Sequence, residues 1–202
     1  MKLYFAPGAC SLSPHIVLRE AALDFELMPV DLRAKKAKDG SDFTKINPKG
    51  QVPALETDDG DVLTEGPVIV QYVGDLAPGS RLMPPPGGRE RYHAQEWLNF
   101  ITSELHKNFS PLFRPTTPDA YKQMTREGLA TRFRWLNDHL SGRPYLMGET
   151  FTAPDAYLYV MTRWTGRVEI DLDQWPALSA FSGRVAARPK VQEAIKAEGL
   201  LK

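Results

Sequence analysis

The sequence has a single cysteine among its 202 residues, so no disulfide bond can form within the chain. This scarcity excludes the disulfide-rich secreted scaffolds and fits a reducing compartment. Neither sign of charge is in excess, because Lys and Arg total 25 and Asp and Glu also total 25. That balance gives no sign of a surface for nucleic acid or for an anionic membrane.

Long apolar runs are also missing, and no stretch approaches the length that a bilayer-spanning helix needs. The opening Met1-Lys2-Leu3 passes into a predicted strand without the pattern of a secretory signal peptide. No internal repeat or low-complexity tract stands out. We therefore expect a globular protein of the cytoplasm, of a length that allows one large domain or two small ones.

A segment dense in proline and glycine, residues 77–88, divides the chain. Before it, the predicted elements follow the order β-α-β, then a β-hairpin that turns at Asp58-Asp59-Gly60, then a helix. This order is typical of a thioredoxin-like α/β domain. Beyond it, apolar residues recur at helical spacing. We expect a thioredoxin-like domain over residues 1–80 and an all-helical bundle domain over residues 88–202.

The lone cysteine lies where a thiol is most easily ionised. Lys2 to Phe5 predicts a strand, Pro7-Gly8 a tight turn, and a helix opens near Cys10. Unpaired N–H groups and the positive end of a helix favour a thiolate over a thiol. The alternative is a cysteine that acts as a small buried apolar side chain, and both interpretations are open at this point.

Two further stretches offer backbone groups to a ligand. Pro53 begins a predicted strand and is compatible with a cis peptide bond, which would let the Val52 backbone pair with an extended peptide. The alternative is an ordinary proline at a strand start. Glu65 and Gly66 precede a helix with Pro67 in its first turn, where N–H groups can hold an anion. Glu65 could instead simply cap that helix.

A polar stripe marks the long helix predicted over residues 89 to about 109. Asn99, Ser103 and His106 recur at i, i+4 and i+7 and so share one face. Such a stripe is either solvated or a hydrogen-bonding wall of a site. His106 is the candidate acid–base group, because imidazole titrates near neutral pH. Asp155, three residues after a threonine, is interpreted as a helix cap and not as a catalytic carboxylate.

Five short motifs together resemble the bacterial beta-class glutathione transferases, over essentially the whole chain. They are Pro7-Gly8-Ala9-Cys10-Ser11, Asn47 to Leu55, Leu63 to Gly66, Phe151 to Ala156, and Ala187-Arg188-Pro189. Each motif is weak alone, but their order and spacing are specific. The resemblance implies a homodimer that joins the thiol of glutathione, its co-substrate, to hydrophobic electrophilic small molecules. It implies no metal and no tightly bound cofactor.

The resemblance also implies roles for individual residues. Cys10 and His106 are the implied catalytic residues, and Cys10 is able to form a mixed disulfide with glutathione. Val52, ahead of a cis Pro53, pairs with the cysteinyl main chain of glutathione, and Glu104 acts across the dimer interface. Further contacts to the tripeptide are implied for Lys35, Gln51, Glu65, Gly66, Asn99 and Ser103.

The residue at position 5 departs from the pattern of many transferases, in which a tyrosine near the end of the first strand holds the thiolate. Phe5 cannot donate a hydrogen bond, and Tyr4 alternates to the opposite face of the strand. Stabilisation of a thiolate then depends on the helix start, Ser11, Cys10 itself or His106.

Two other functions fit the same residues. Cys10 and Ser13 have the Cys-x-x-Ser spacing of monothiol glutaredoxins, which favours a glutathione-dependent thiol–disulfide oxidoreductase with Cys10 as nucleophile. A reductive dehalogenase would use the cysteine in a related way. The third hypothesis is a non-catalytic carrier of apolar ligands.

Overall fold

The computed structural model of this protein describes residues 1–201. They form two compact units: one joins Met1–Pro85 to a segment that begins at Arg188, and the other is Pro86–Ala187. The division near residue 85 falls inside the expected linker, residues 77–88. The helical domain expected over residues 88–202, by contrast, ends at Ala187, because the last helix packs against the first helix of the chain.

The first unit is built on a mixed five-stranded sheet. In chain order its elements are β1 (Lys2–Phe5), α1 (Leu12–Glu20), β2 (Glu26–Asp31), β3 (Lys36–Ala37), β4 (Ala54–Glu56), β5 (Val62–Thr64) and α2 (Gly66–Leu76). The strand order is β3-β2-β1-β4-β5. Only β1 and β2 run parallel, and α1 provides the crossover between them. This sheet and its helices match the expected thioredoxin-like arrangement.

The central strand β1 is apolar on both faces because both faces are covered. Leu3 and Phe5 are buried on one face, and Tyr4 is buried on the other, where its ring packs on Phe43 with centroids 5.7 Å apart. The Tyr4 hydroxyl donates to Glu56 Oε2 at 2.7 Å. Burial and this carboxylate raise the pKa of Tyr4. Tyr4 is therefore a core residue, as its place in the strand predicts.

The second unit consists of helices. They are α3 (Arg89–Phe100), a π-helical segment (Ile101–His106), α4 (Lys107–Phe113), α5 (Asp119–Leu140), α6 (Ala153–Thr165) and α7 (Pro176–Ala186). α6 is buried along almost its whole length. At its start Thr152 and Asp155 form a capping box, and Asp155 also accepts the Leu146 N–H at 2.8 Å, so Asp155 is the structural cap that its spacing predicts. No helix among residues 1–201 is long and apolar enough to cross a membrane.

The π-helical segment interrupts what the sequence predicts as one continuous α-helix. Within Ile101–His106, the hydroxyls of Thr102 and Ser103 donate to carbonyl oxygens one turn back, at 2.7 and 3.1 Å. Such bonds loosen an α-helix. Asn108 Nδ2 donates to the carbonyl oxygen of Glu104 at 2.9 Å and satisfies it within the wider turn. The polar stripe therefore lies on a π-helical turn, which is wider than the α-helical turn that the sequence predicts. Distortions of this kind often mark functional sites.

The last helix, α8 (Pro189–Ala197), returns the chain to the first unit. It packs against α1, and the guanidinium of Arg188 holds both carboxylate oxygens of Glu20 at 2.6 and 2.7 Å. A bidentate pair of this kind fixes orientation as well as distance. The C-terminal segment is thus anchored at its first residue.

Glu198, just after α8, connects the C-terminal segment to the turn that precedes Cys10. Its buried carboxylate accepts the Gly8 N–H at 2.9 Å and lies 2.8 Å from His15 Nδ1. Arg19 Nε donates to His15 Nε2 at 2.8 Å, so that nitrogen is the acceptor and Nδ1 carries the ring proton. His15 therefore donates to Glu198, and the carboxylate serves two buried donors.

Replacing Glu198 tests this connection. Glu198→Ala leaves the donors of Gly8 and His15 without their buried partner, so we expect the free energy of unfolding to fall by roughly 3 kcal/mol. Glu198→Gln keeps one acceptor oxygen, so its free energy of unfolding should fall by less. The matched control is Glu193→Ala on α8, since Glu193 is half-exposed and bound to Lys190, and its loss should be much smaller. Urea unfolding measures all three, and equal losses at positions 198 and 193 would contradict the role of Glu198.

Candidate functional site

The turn between β1 and α1 positions Cys10. Gly8 adopts a positive φ of 69°, and the Ser11 hydroxyl bonds the backbone of Ala6 on both sides, accepting from its N–H at 3.2 Å and donating to its carbonyl oxygen at 3.3 Å. α1 begins at Leu12, so Cys10 lies just before the helix. Ser11 is buried and occupied in holding the turn, which makes it a structural residue and not a free donor for a thiolate.

The Cys10 thiol is neutral at neutral pH. Burial raises the pKa of Cys10 to about 12, while the N–H groups of Cys10 and Ser11 lower it by less, and the Glu65 carboxylate adds to the rise. The thiol donates to the carbonyl oxygen of Val52 across 3.3 Å. The helix start acts in the direction that the sequence predicts and lowers the pKa of Cys10, but desolvation outweighs it in the ligand-free protein.

The loop before β4 presents the backbone of Val52. The Val52–Pro53 peptide bond is cis, as the resemblance implies. Asn47, which is buried, holds the loop by donating from Nδ2 to the Gln51 carbonyl oxygen at 2.6 Å and accepting the Lys49 N–H at 3.1 Å. Gln51 itself is exposed. The structure thus places the Val52 carbonyl group next to the Cys10 thiol. From the sequence, both residues are expected to contact the same ligand.

Glu65 occupies an unusual backbone conformation at the start of α2. Its φ is 67° and its ψ is 113°, a region that residues other than glycine rarely adopt. Its carbonyl oxygen accepts the N–H groups of Val68 and Ile69, both at 3.0 Å, but its side chain makes no capping bond. Glu65 is therefore the N-cap residue of α2, but its carboxylate does not cap the helix. Strain of this kind is retained where the surroundings impose it, and it is found preferentially at functional sites.

Two lysines flank this region, and the sequence predicts a role for only one of them, Lys35. Lys35 Nζ donates to the Gly50 carbonyl oxygen at 2.8 Å and so ties the loop together. Lys49 Nζ lies 2.5 Å from Glu65 Oε1 and 2.8 Å from Thr64 Oγ1. Lys49 lies within the Asn47 to Leu55 motif, and this position is the only feature of the sequence that points to it. Its contact with Glu65 is visible only in the fold.

The predicted residues of the second unit lie on or next to the π-helical segment. Asn99 and Ser103 are exposed, and His106 is partly buried with Nδ1 2.5 Å from the hydroxyl oxygen of Tyr157. Glu104 is bound by the Arg132 guanidinium, at 2.9 and 3.1 Å from a single carboxylate oxygen. Across residues 1–201, no cluster of three His, Cys, Asp or Glu side chains is placed to hold a metal ion.

The neutral thiol has a measurable consequence. Because Cys10 is the sole cysteine, any alkylation by iodoacetamide reports on it alone. We expect its rate to rise with pH along a curve whose midpoint lies well above the value of about 8.5 for a free thiol. Glu65→Gln removes a carboxylate that raises the pKa of Cys10, so it should move the curve to lower pH. Mass spectrometry of timed samples measures the rate, with the urea-unfolded protein as reference. A native midpoint at or below that reference would contradict the finding.

The strain at Glu65 predicts an unusual order of stability. Glu65→Gly relieves the positive φ, whereas Glu65→Ala keeps it, and both variants lose the contact with Lys49. We expect the glycine variant to be more stable by about 1 kcal/mol in urea unfolding. At Arg134, an exposed position inside α5, the same pair of substitutions should give the opposite order, because glycine weakens a helix interior. If the glycine and alanine variants had the same order of stability at both positions, Glu65 would not be strained.

Known proteins share both units of this chain. Residues 1–75 match the family model "Glutathione S-transferase, N-terminal domain", and residues 100–189 match "Glutathione S-transferase, C-terminal domain". Over 200 residues the chain is 48% identical to the glutathione S-transferase GstA of Escherichia coli O157:H7, covering 99% of this chain and 100% of that protein.

Solved structures agree with the family models. A sphingomonad glutathione S-transferase complexed with glutathione has a TM-score of 0.96 and 47% identity, covering 100% of both chains. The bacterial beta-class enzyme of Sphingomonas chungbukensis has a TM-score of 0.96 and 43% identity, also over 100% of both chains. The expected fold and the resemblance to beta-class enzymes are confirmed. Because the two family models match residues 1–75 and 100–189, the chain belongs to the glutathione S-transferase family.

Proposed function

We propose that this protein conjugates the thiol of glutathione to electrophilic small molecules. In the reaction the glutathione thiol loses its proton, its sulfur forms a bond to an electrophilic carbon, and a leaving group departs with the electron pair of its bond. The observation that carries the proposal is the contact between the Cys10 thiol and the Val52 carbonyl oxygen, at 3.3 Å. It places a sulfur-binding group beside a backbone that can pair with a peptide, in a chain of the glutathione S-transferase family.

Val52 and Cys10 exchange partners when glutathione binds. The cysteinyl main chain of glutathione lies along Val52, ahead of Pro53, and pairs with its N–H and C=O groups as an added strand does. The peptide N–H takes the carbonyl oxygen that Cys10 holds in the ligand-free protein. The Cys10 S–H then turns to the glutathione sulfur and donates to it. A thiol whose pKa is raised to about 12 suits this role, because only the protonated form is a donor.

Glu65 and Gly66 bind the γ-glutamyl end. The Glu65 carboxylate meets the ligand's ammonium group, and the N–H groups at the start of α2 meet its carboxylate. Lys49, which holds Glu65 at 2.5 Å in the ligand-free protein, yields that carboxylate to the ammonium group. Lys35 and Gln51 serve the other polar groups of the tripeptide.

The second unit supplies further polar contacts. Asn99, Ser103 and His106 act on the bound thiol, and Glu104, already bound to Arg132, acts across a dimer interface. The homodimer and a cytoplasmic location, where the single cysteine remains reduced, belong to the same proposal. Sedimentation velocity measures the oligomeric state.

Thiol–disulfide exchange is the second candidate: the Cys10 sulfur attacks the disulfide of oxidised glutathione, forms a mixed disulfide with one half and releases the other half as a thiolate. That reaction needs the Cys10 thiolate as the attacking group. The raised pKa of Cys10 leaves little thiolate at neutral pH, so conjugation is favoured over exchange. Detection of an added glutathione by mass spectrometry tests the mixed disulfide directly.

Substitution of Cys10 separates the two reactions. With glutathione and an activated aryl chloride, we expect Cys10→Ala to lower kcat/KM by about fivefold, the effect of one lost hydrogen bond, and Cys10→Ser, which keeps a donor, to lose less. If thiol–disulfide exchange is the activity of the protein, the glutathione-dependent disulfide reductase activity of Cys10→Ala should fall to background.

Glu65→Gln is the variant that tests glutathione binding, and we expect it to raise KM for glutathione about tenfold. Glu193→Gln on α8 serves as the control and leaves KM unchanged. Two results would contradict the proposal. Complete loss of conjugation in Cys10→Ala would indicate that Cys10 is the nucleophile. Absence of turnover, together with no retention on a glutathione resin, would favour a non-catalytic carrier.

A further inference from the structure

An ion pair lies at the start of α2, where the proposed function places the γ-glutamyl end of glutathione. Lys49 Nζ donates to Glu65 Oε1 at 2.5 Å and to Thr64 Oγ1 at 2.8 Å. The two charged side chains come from different segments of the first unit, because Lys49 belongs to the loop before β4 and Glu65 directly precedes α2. The lysine thus contacts the residue that is proposed to hold the ammonium group of the ligand.

The group that Lys49 presents to Glu65 is chemically the same as the group that glutathione would present. Both are primary ammonium groups, each with one positive charge and three N–H donors. In the ligand-free protein, Glu65 Oε1 and Thr64 Oγ1 accept two of the three donors of Lys49. The position that the ammonium group of a ligand would take is therefore filled by a side chain of the protein itself.

The ion pair is open to solvent, so a ligand can displace it. The Lys49 side chain is 50% exposed and the Glu65 side chain is 62% exposed. Ion pairs at such positions contribute little to stability, because water screens the charges and both side chains lose conformational freedom in the pair. Lys35, the other lysine of this region, is bound instead to the Gly50 carbonyl oxygen at 2.8 Å. Lys49 is therefore the lysine whose contact must be given up when a second cation reaches Glu65.

Exchange of the two cations is favoured over simultaneous binding. Two ammonium groups on one carboxylate would bring like charges together, and each would gain less from a carboxylate that the other already neutralises. Exchange also keeps one cation on Glu65 throughout. The Glu65 carboxylate raises the pKa of Cys10, so without a cation it would also oppose a negative charge on a ligand sulfur beside Cys10.

We propose that Lys49 is an internal competitor for the ammonium-binding position of Glu65, so that it lowers the affinity of the site for glutathione. The inference rests on the proposed function, which places the γ-glutamyl end at Glu65. A peptide thiol without the ammonium group leaves the ion pair intact, so Lys49 also reduces the preference of the site for glutathione over such a peptide. A conjugate carries the same ammonium group as glutathione, and Lys49 therefore assists its release.

Isothermal titration calorimetry of the full chain with reduced glutathione tests the competition without turnover. We expect Lys49→Met to lower Kd about twofold to fivefold, the range that corresponds to an exposed ion pair. Lys49→Arg retains a cation that can pair with Glu65, so its Kd should equal or exceed that of the wild type. The control Lys45→Met removes another exposed lysine between β3 and β4 and should not lower Kd, because it removes only a general attraction for an anionic ligand.

The sign of the change in Kd decides between competition and direct binding. A Kd for Lys49→Met that equals or exceeds the Kd for Lys45→Met overturns the inference, since Lys49 would then either take no part or bind the ligand directly. In a Glu65→Gln background, Lys49→Met should no longer strengthen binding. A gain that persists there overturns the role of Glu65 as the shared partner.

A glutathione analogue without the ammonium group identifies the part of the ligand that competes. In glutaryl-cysteinylglycine a hydrogen atom replaces that group, and the rest of the tripeptide is kept. We expect Lys49→Met to strengthen the binding of glutathione but not of the analogue, so the ratio of the two Kd values should change at least about twofold in favour of glutathione. Equal strengthening of both ligands overturns the inference, because Lys49 would then oppose a different part of the ligand.

The same measurements separate this inference from the proposed function. A wild-type protein that binds and conjugates glutathione, but whose affinity does not increase in Lys49→Met, overturns the inference alone. A wild-type protein that binds no glutathione overturns the proposed function, and the inference with it.

Discussion

The carboxylate of Glu198 is the constraint on which the candidate site depends. It is buried, it accepts the Gly8 N–H two residues before Cys10, and it orients His15 on the adjacent helix. The turn that presents the thiol is thus held from outside by a residue that follows the whole helical unit in sequence. Removal of that carboxylate takes one buried hydrogen-bond acceptor from Gly8 and one from His15, which weakens the observed turn.

Within this frame, the chemistry of Cys10 follows from a competition between burial and the helix start. Helix-end N–H groups lower the pKa of the thiol, but desolvation and the Glu65 carboxylate raise it further, so the group is a donor. His106, in the second unit, lies with Nδ1 2.5 Å from the Tyr157 hydroxyl oxygen. In the proposed reaction Cys10 stabilises the charge that develops on the ligand, and it does not have to carry one in the ligand-free protein.

The sequence predicts those features of the fold and the site that depend on interactions between residues close together in the chain. Local patterns were sufficient for the mixed-sheet unit, for the cap at Asp155 and for the stretches around Cys10, Val52 and Glu65, because spacing and turn chemistry act over a few residues. The sequence could not give the sign of the Cys10 pKa, which is decided by how deeply the folded chain buries the thiol. Nor could it give the partner of Gly8, which lies 190 residues away.

The first unit is assembled from two stretches of chain separated by the entire second unit. During synthesis on the ribosome, residues 1–85 emerge long before Glu198 is made, and domains generally fold as they emerge. For this protein, the turn that carries the thiol cannot reach its final hydrogen bonding until the last helix has left the exit tunnel. Chains released before residue 198 therefore retain the cysteine but lack the carboxylate that holds the turn before it.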